Sequence, residues 1–283
     1  MTARTGTGVG TDIGTGRSPS AVVADAADAA DATDVAAPVM EGAAAKGASP
    51  PAAASAIAAA EEPRASGWPL PAPVKALLAG LSRGITRVLL RLLSKTTVSG
   101  SEHVPLRGPC ILAFNHLGYL DGALLYALTP RPDVTPVVAA MIGAKPLERI
   151  VVTMAGGIWI ARGASDRAAL ETALAVLAAG RAVAIAPEGR ISTTGGLLPA
   201  QPGAAFLAVR GRAPIVPVAI TGSERAWTDL RRFRRPTMTL TFGEPIPAES
   251  IAPGKAGRTA AMESLMQRLA AMLPERYRGK YRG

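Results

Sequence analysis

The 283-residue chain is short of reactive side chains: it has two histidines, one cysteine and only 4% aromatic residues. A lone cysteine, Cys110, excludes an intramolecular disulfide and any thiolate metal cluster, and it fits a reducing compartment. No run of apolar residues reaches the roughly 18 that a membrane-spanning helix needs. Met1 is followed by neither a basic n-region nor an apolar h-region, so no secretory leader is expected. These absences point to a soluble or peripheral protein.

Residues 1–66 contain no aromatic at all and are built mostly from Ala, Gly, Thr, Asp, Val and Pro, with near-repeats such as DAADAADATD. Such a stretch cannot bury enough apolar surface to fold, and it reads as a disordered tail. TGTGVGTDIGTG lies inside it with no strand before and no amphipathic helix after, so it lacks the mechanical basis of a dinucleotide-binding loop. The tail holds eight acidic and four basic side chains. Of the chain's 31 basic and 21 acidic residues, 27 and 13 therefore fall in residues 67–283, a net charge near +14. That field favours anionic partners such as phospholipid headgroups, nucleic acid or phosphorylated small molecules.

After the linker SGWPLPAP comes VKALLAGLSRGITRVLLRLLSK, residues 74–95. Leu77, Leu78, Leu81, Ile85, Val88, Leu89, Leu92 and Leu93 recur at spacings of three and four, with Arg83, Arg87, Arg91 and Lys95 along another flank. The pattern predicts an amphipathic helix with a cationic edge. It packs on the core with its charges in water, or its leucines enter an acyl boundary while its cations meet anionic lipid, or both hold, with the helix docked at its edge and wetted by lipid elsewhere. The organisation expected is a tail at 1–66, a linker and basic helix at 67–97, and one folded domain at 98–283.

In that domain, short apolar runs alternate with helical patterns. Strands are expected at 110–114, 134–139, 157–161, 182–186, 215–220 and 237–242, and helices at 121–128, 145–153, 166–179, 203–210 and 257–273. Asp166 is placed to open the third helix and Gly180 to stop it. The alternation implies one α/β domain with a largely parallel sheet flanked by helices, in which ligands gather at the carboxyl ends of strands. Three polar segments begin at such ends: Asn115-His116, Arg162-Gly163, and Pro187-Glu188-Gly189-Arg190.

Within FNHLGYLDG, residues 114–122, His116 precedes Asp121 by five positions. One regular helix cannot pair them, because five residues turn about 500°. A turn at Gly118 followed by a helix starting at Asp121 can. A neutral imidazole is able to take a proton from a hydroxyl near neutral pH, and a carboxylate on its other nitrogen fixes the tautomer. On spacing alone, Asp121 could equally cap the helix and His116 be a hydrogen-bonded turn residue. No G-x-S-x-G elbow occurs and Cys110 is expected to pack, so the nucleophile would have to be the substrate's own hydroxyl.

N-H-L-G-Y-L-D matches the N-H-x-x-x-x-D signature of the glycerolipid acyltransferases, and three further blocks follow in order: GGIWIAR (156–162), APEGRIS (186–192) and APIVPVAI (213–220). The chain resembles the members of that family that act on lysophosphatidic acid, over roughly residues 98–245. The resemblance implies direct transfer of an acyl group from acyl-CoA or acyl carrier protein to an sn-2 hydroxyl, with His116 as base and Asp121 as its orienter. It also implies that Arg162, Glu188, Gly189 and Arg190 bind the acceptor's glycerol phosphate and that Pro217 supports the pocket or the donor. No metal or resident cofactor is implied.

Departures from the pattern bear on the acceptor. Arg190 directly follows Gly189 where the family usually has threonine, Trp159 replaces the usual Phe, and Ala161 the usual Asp. The remaining alternatives are another lysolipid or glycolipid acceptor, or a non-catalytic homologue that binds anionic lipid. RRFRRP, 231–236, is a solvated loop or a contact for lipid headgroups or for the phosphates of CoA. No recognised nucleic-acid module surrounds it. The expected partners are therefore a lysophospholipid, an acyl thioester and an anionic membrane surface at the cytoplasmic face.

Overall fold

The computed structural model describes residues 71–139, 152–153, 156–160 and 166–282. The disorder expected for residues 1–66, most of the helix expected at 145–153, and Arg162 lie outside the described residues. Seven strands form one sheet in the order β1-β7-β6-β2-β5-β3-β4. They are β1 (Lys95–Ser99), β2 (Cys110–Phe114), β3 (Val134–Ala139), β4 (Ile158–Ile160), β5 (Ala182–Ile185), β6 (Ile215–Thr221) and β7 (Thr237–Phe242). All neighbours are parallel except β6 and β7. The helices are α1 (Ala72–Leu93), α2 (Leu120–Leu128), α3 (Arg167–Ala178), α4 (Gly203–Gly211), α5 (Ala226–Arg231) and α6 (Gly254–Met272).

β2 is an unbroken apolar run because both faces of the sheet are covered. Side chains alternate across a strand, so Ile111 and Ala113 join Val183, Ile215 and Ala219 under α3, α4 and α6. Cys110, Leu112 and Phe114 face the opposite layer with Val216, Val218, Ile220 and the α2 residues Leu124 and Leu125. Each such fully buried aliphatic side chain stabilises the fold by about 1.5–3 kcal/mol relative to exposure. Asp166 accepts a hydrogen bond from the Ala169 N–H at 3.1 Å and so caps α3, and Gly180 takes φ +72 just past its end.

The docking of α1 corrects the sequence expectation for its charges. Arg83 is buried, and its guanidinium donates to the carbonyls of Thr129 and of Arg131 (2.8 Å), while Arg87 Nε donates to Ala127 O at 2.5 Å. Those carbonyls belong to the last turn of α2 and the residues just after it, where a helix leaves acceptors unpaired and carries partial negative charge. Two arginines are therefore latches, not lipid ligands. Burial pulls the Arg83 pKa down, and neighbouring Arg87 adds to that. Tyr126 completes the seam with its hydroxyl donating to Ala79 O at 2.8 Å.

Held by its polar edge, α1 leaves its leucines outside. Leu77 is 70% exposed, Leu92 64% and Leu81 58%, and Ile85, Val88 and Leu89 are also exposed. Gly80 and Gly84 floor a shallow apolar trough between them.

Topology fixes which end of the sheet is functional. β2, β3, β5 and β6 run the same way, so their carboxyl ends share one edge. Because β7 is antiparallel to β6, with Thr221 opposite Thr239, the amino end of β7 lies there too. β1 is parallel to β7, so Lys95 and the end of α1 reach the same edge.

Candidate active site

At Phe114 the β2 main chain leaves the sheet, and a side chain takes over its pairing. Asn115 is buried and uses both ends of its amide on one residue of β6, accepting from Ile220 N at 2.7 Å and donating to Ile220 O at 2.9 Å. The backbone of His116 is thereby free to turn. Gly118 makes the turn tight: a Cβ there would stand 3.2 Å from Ser223 O. The chain closes with Asp121 N donating to Gly118 O at 3.2 Å, and α2 begins at Leu120, one residue before the expected start.

The fold-back brings the two candidate residues together. His116 Nδ1 lies 2.8 Å from Asp121 Oδ2. The same oxygen accepts from Leu117 N (2.7 Å) and Gly118 N (2.8 Å), in the first turn of α2 where the helix dipole favours negative charge. Asp121 is fully buried, and its other oxygen, Oδ1, has no partner among the described residues. The carboxylate thus fastens the loop ahead of the helix instead of capping the helix. An ionised carboxylate on Nδ1 puts the proton there and leaves the lone pair on Nε2. The ring is 17% exposed, with Phe114 against its edge at a centroid distance of 5.7 Å. Buried orienter and accessible ring are what a general base requires.

A second loop braces the first. After β5, Glu188 is 4% exposed and commits both oxygens to backbone amides: Oε1 accepts from His116 N at 3.0 Å and Oε2 from Leu198 N at 2.9 Å. Ser192 N donates to His116 O at 2.8 Å. His116 is therefore held at both its N–H and its C=O by the segment 188–192. Burial pushes the Glu188 carboxyl above its ordinary value, and the two amides pull it back in part. The carboxylate that the resemblance assigns to the acceptor's glycerol phosphate has each oxygen on a backbone amide.

Gly189 takes φ +66 and donates its N–H to Ala186 O at 3.0 Å, a turn that a side chain would strain. Arg190 follows it and is exposed on the same loop. Pro217 sits apart from this cluster. It is buried mid-strand in β6 opposite Ala113, and its carbonyl accepts from Gly243 N at 2.8 Å. Arg162 is outside the described residues. Asn115, Ser192 and the amide of Leu198 were given no role by sequence reasoning. Asn115 had a local signal in its place at a strand end, whereas the other two act through backbone atoms and have none.

Residues 95–221 match the Acyltransferase protein family. The chain is 32% identical over 157 residues to a 1-acyl-sn-glycerol-3-phosphate acyltransferase of Cocos nucifera, covering 54% of this chain and 50% of that protein. It is 27% identical over 163 residues to the human alpha enzyme of the same name, covering 56% and 57%. The chain thus spans about half the length of these relatives. The crystal structure of the 1-acyl-sn-glycerophosphate acyltransferase PlsC of Thermotoga maritima shares the fold, with a TM-score of 0.55, 20% identity, and 70% of this chain and 81% of that one covered. The matched segment begins at β1 and ends with β6, and it contains His116, Asp121 and Glu188.

Proposed function

We propose that the protein transfers a fatty acyl group from an acyl thioester to the sn-2 hydroxyl of lysophosphatidic acid. The observation that carries this reading is the 2.8 Å contact between a partly exposed imidazole and a buried carboxylate at the carboxyl edge of the sheet. His116 Nε2 takes the hydroxyl proton as the alkoxide oxygen attacks the thioester carbonyl carbon. The C–S bond then breaks, and the departing thiolate recovers the proton from the imidazolium. Asp121 stabilises the cation between these steps, and no covalent enzyme intermediate is needed.

Exposed Arg190, with Arg162 from the preceding block, supplies the planar donors that a phosphate monoester accepts. Gly189 shapes the loop of Arg190, Glu188 holds His116 in place, and Pro217 acts through β6. The donor is acyl-CoA or acyl carrier protein. Purified protein offered lysophosphatidic acid, a lyso-aminolipid and a lyso-glycolipid with each donor is expected to make phosphatidic acid fastest. A faster product from another acceptor would move the reading to that lipid.

The same reading places the protein at a membrane surface. No helix among the described residues is long and apolar enough to cross a bilayer. The exposed leucine face of α1 instead suits insertion into one leaflet, parallel to its plane. Leu81→Asp combined with Val88→Asp touches no latch, and it is expected to weaken co-sedimentation with phosphatidylcholine vesicles by about a hundredfold, since two apolar side chains are replaced by charges. Unchanged sedimentation would remove α1 from the membrane.

A further inference from the structure

With Arg83 and Arg87 spent on α2, the cations that meet lipid have to come from elsewhere. The loop from Arg231 to Arg235 supplies them at the same end of the sheet as His116. Arg235 donates to the carbonyls of Arg91 and Ser94, both at 2.6 Å, and so ties the loop to the end of α1. Arg231, Arg232 and Arg234 are exposed. Trp227, one turn before Arg231 on the same side of α5, is 55% exposed.

Phe233 stands among these arginines in a conformation that the fold does not need it to hold. Its N–H donates to Leu230 O at 3.0 Å and the next amide, Arg234 N, donates to Asp229 O at 2.9 Å. These two bonds close a Schellman motif at the end of α5, in which the left-handed position is normally glycine. Phe233 occupies it at φ +55 and is 100% exposed. A bulky residue there is strained, and a fully exposed ring returns nothing through packing. Neither feature serves the stability of the free protein, whereas both present an aromatic ring outward between flanking exposed arginines.

We propose that Phe233 and the arginines around it form a second membrane-contacting element, the ring entering the leaflet while Arg231, Arg232 and Arg234 meet anionic headgroups. It rests on the bilayer placement of α1 proposed above, and it is continuous with α1 through Arg235. A bilayer is the fitting partner because no protein wall stands beside the exposed ring to complete a nucleotide pocket. An apolar half-space bounded by phosphates satisfies ring and cations together. The loop adjoins the end of α1 at the same edge of the sheet as His116, so a bilayer that meets both elements lies against the catalytic edge.

The test compares the full chain with Phe233→Gly and with Arg231→Gln/Arg232→Gln/Arg234→Gln, by co-sedimentation with vesicles of phosphatidylcholine and of phosphatidylcholine mixed with phosphatidylglycerol. Phe233→Gly is expected to bind both kinds about tenfold more weakly. Its melting temperature is expected to stay level or rise by about 2–4 °C as the strain is relieved. The triple variant is expected to lose about a hundredfold on the mixed vesicles at low salt and little on the neutral ones. The Leu81→Asp/Val88→Asp chain, run alongside, separates the two readings. If it loses binding while Phe233→Gly and the triple variant keep theirs, the loop has no membrane role and α1 retains its own. If none of the variants loses binding, both readings fall. A raised KM for acyl-CoA with unchanged vesicle binding would assign the arginines to the donor's phosphates and overturn the proposal.

Discussion

Replacing His116 with alanine is expected to lower acyl transfer by about 10³–10⁴-fold while vesicle binding stays within twofold of the parent chain. On the proposed reading the ring is the proton acceptor for a hydroxyl that does not ionise near neutral pH, and among the described residues no second base is bonded to Asp121 Oδ2 to replace it. Its removal should leave the fold nearly intact. Asp121 keeps its two backbone donors, and the main chain of His116 keeps both Glu188 and Ser192 as partners, since those bonds use its N–H and C=O. Initial rates of phosphatidic acid formation, measured beside a thermal melt, separate the loss of a base from the loss of a loop. A variant that retains full turnover would remove His116 as the base. A variant that loses turnover and membrane affinity together would point to a collapsed site instead.

The sheet was legible where burial on both faces forces a continuous apolar run. CILAF is a strand over the range expected, because a short apolar segment between turn residues has few other ways to hide its side chains, and TMTLTF is one by its alternation, with Met238, Leu240 and Phe242 buried and the threonines on the other face. KTTVS was not legible. As an edge strand it is almost wholly exposed, it carries little apolar signal, and parallel pairing with β7 alone makes it a strand. α5 was too short to show a period. On α1 the periodicity gave the helix but left its orientation open and placed the charges of Arg83 and Arg87 outside. An amphipathic pattern says that two faces differ without saying which one the protein covers, and here the deciding factor was the unpaired carbonyls at the end of α2.

The site divides in the same manner. His116 and Asp121 could be paired from their spacing, since only a turn can bring residues five apart together, and Gly118 stood where the turn had to be. Glu188 was recognisable as part of a loop but not as a brace, because its partners are the backbone amides of His116 and Leu198, and every residue type has an amide. Interactions that use side-chain chemistry leave a mark in the sequence. Those that use the main chain become visible only when the fold brings the strands' ends together.

Asp121→Asn offers a sharper measurement than deletion of the carboxylate, because the unpartnered Oδ1 makes the substitution nearly isosteric in its hydrogen bonds. An asparagine that sets its carbonyl oxygen in the place of Oδ2 can accept from His116 Nδ1, Leu117 N and Gly118 N as the aspartate does. Its NH₂ then falls where Oδ1 already lacks a partner, so no existing bond is broken. The tautomer is preserved, and what disappears is the negative charge that stabilises the imidazolium. Turnover is expected to fall by about 10²–10³-fold with KM for the acceptor unchanged, since the charge matters only once the proton has moved. Asp121→Ala removes all three bonds instead, leaving two buried amides and a ring nitrogen unpaired, at a cost of about 3 kcal/mol in stability as well as activity. If the asparagine variant proved as unstable as the alanine one, the hydrogen bonds rather than the charge would be fragile. If it kept parental turnover, Asp121 would be a fastener of the turn alone, and His116 would act as a base without electrostatic support.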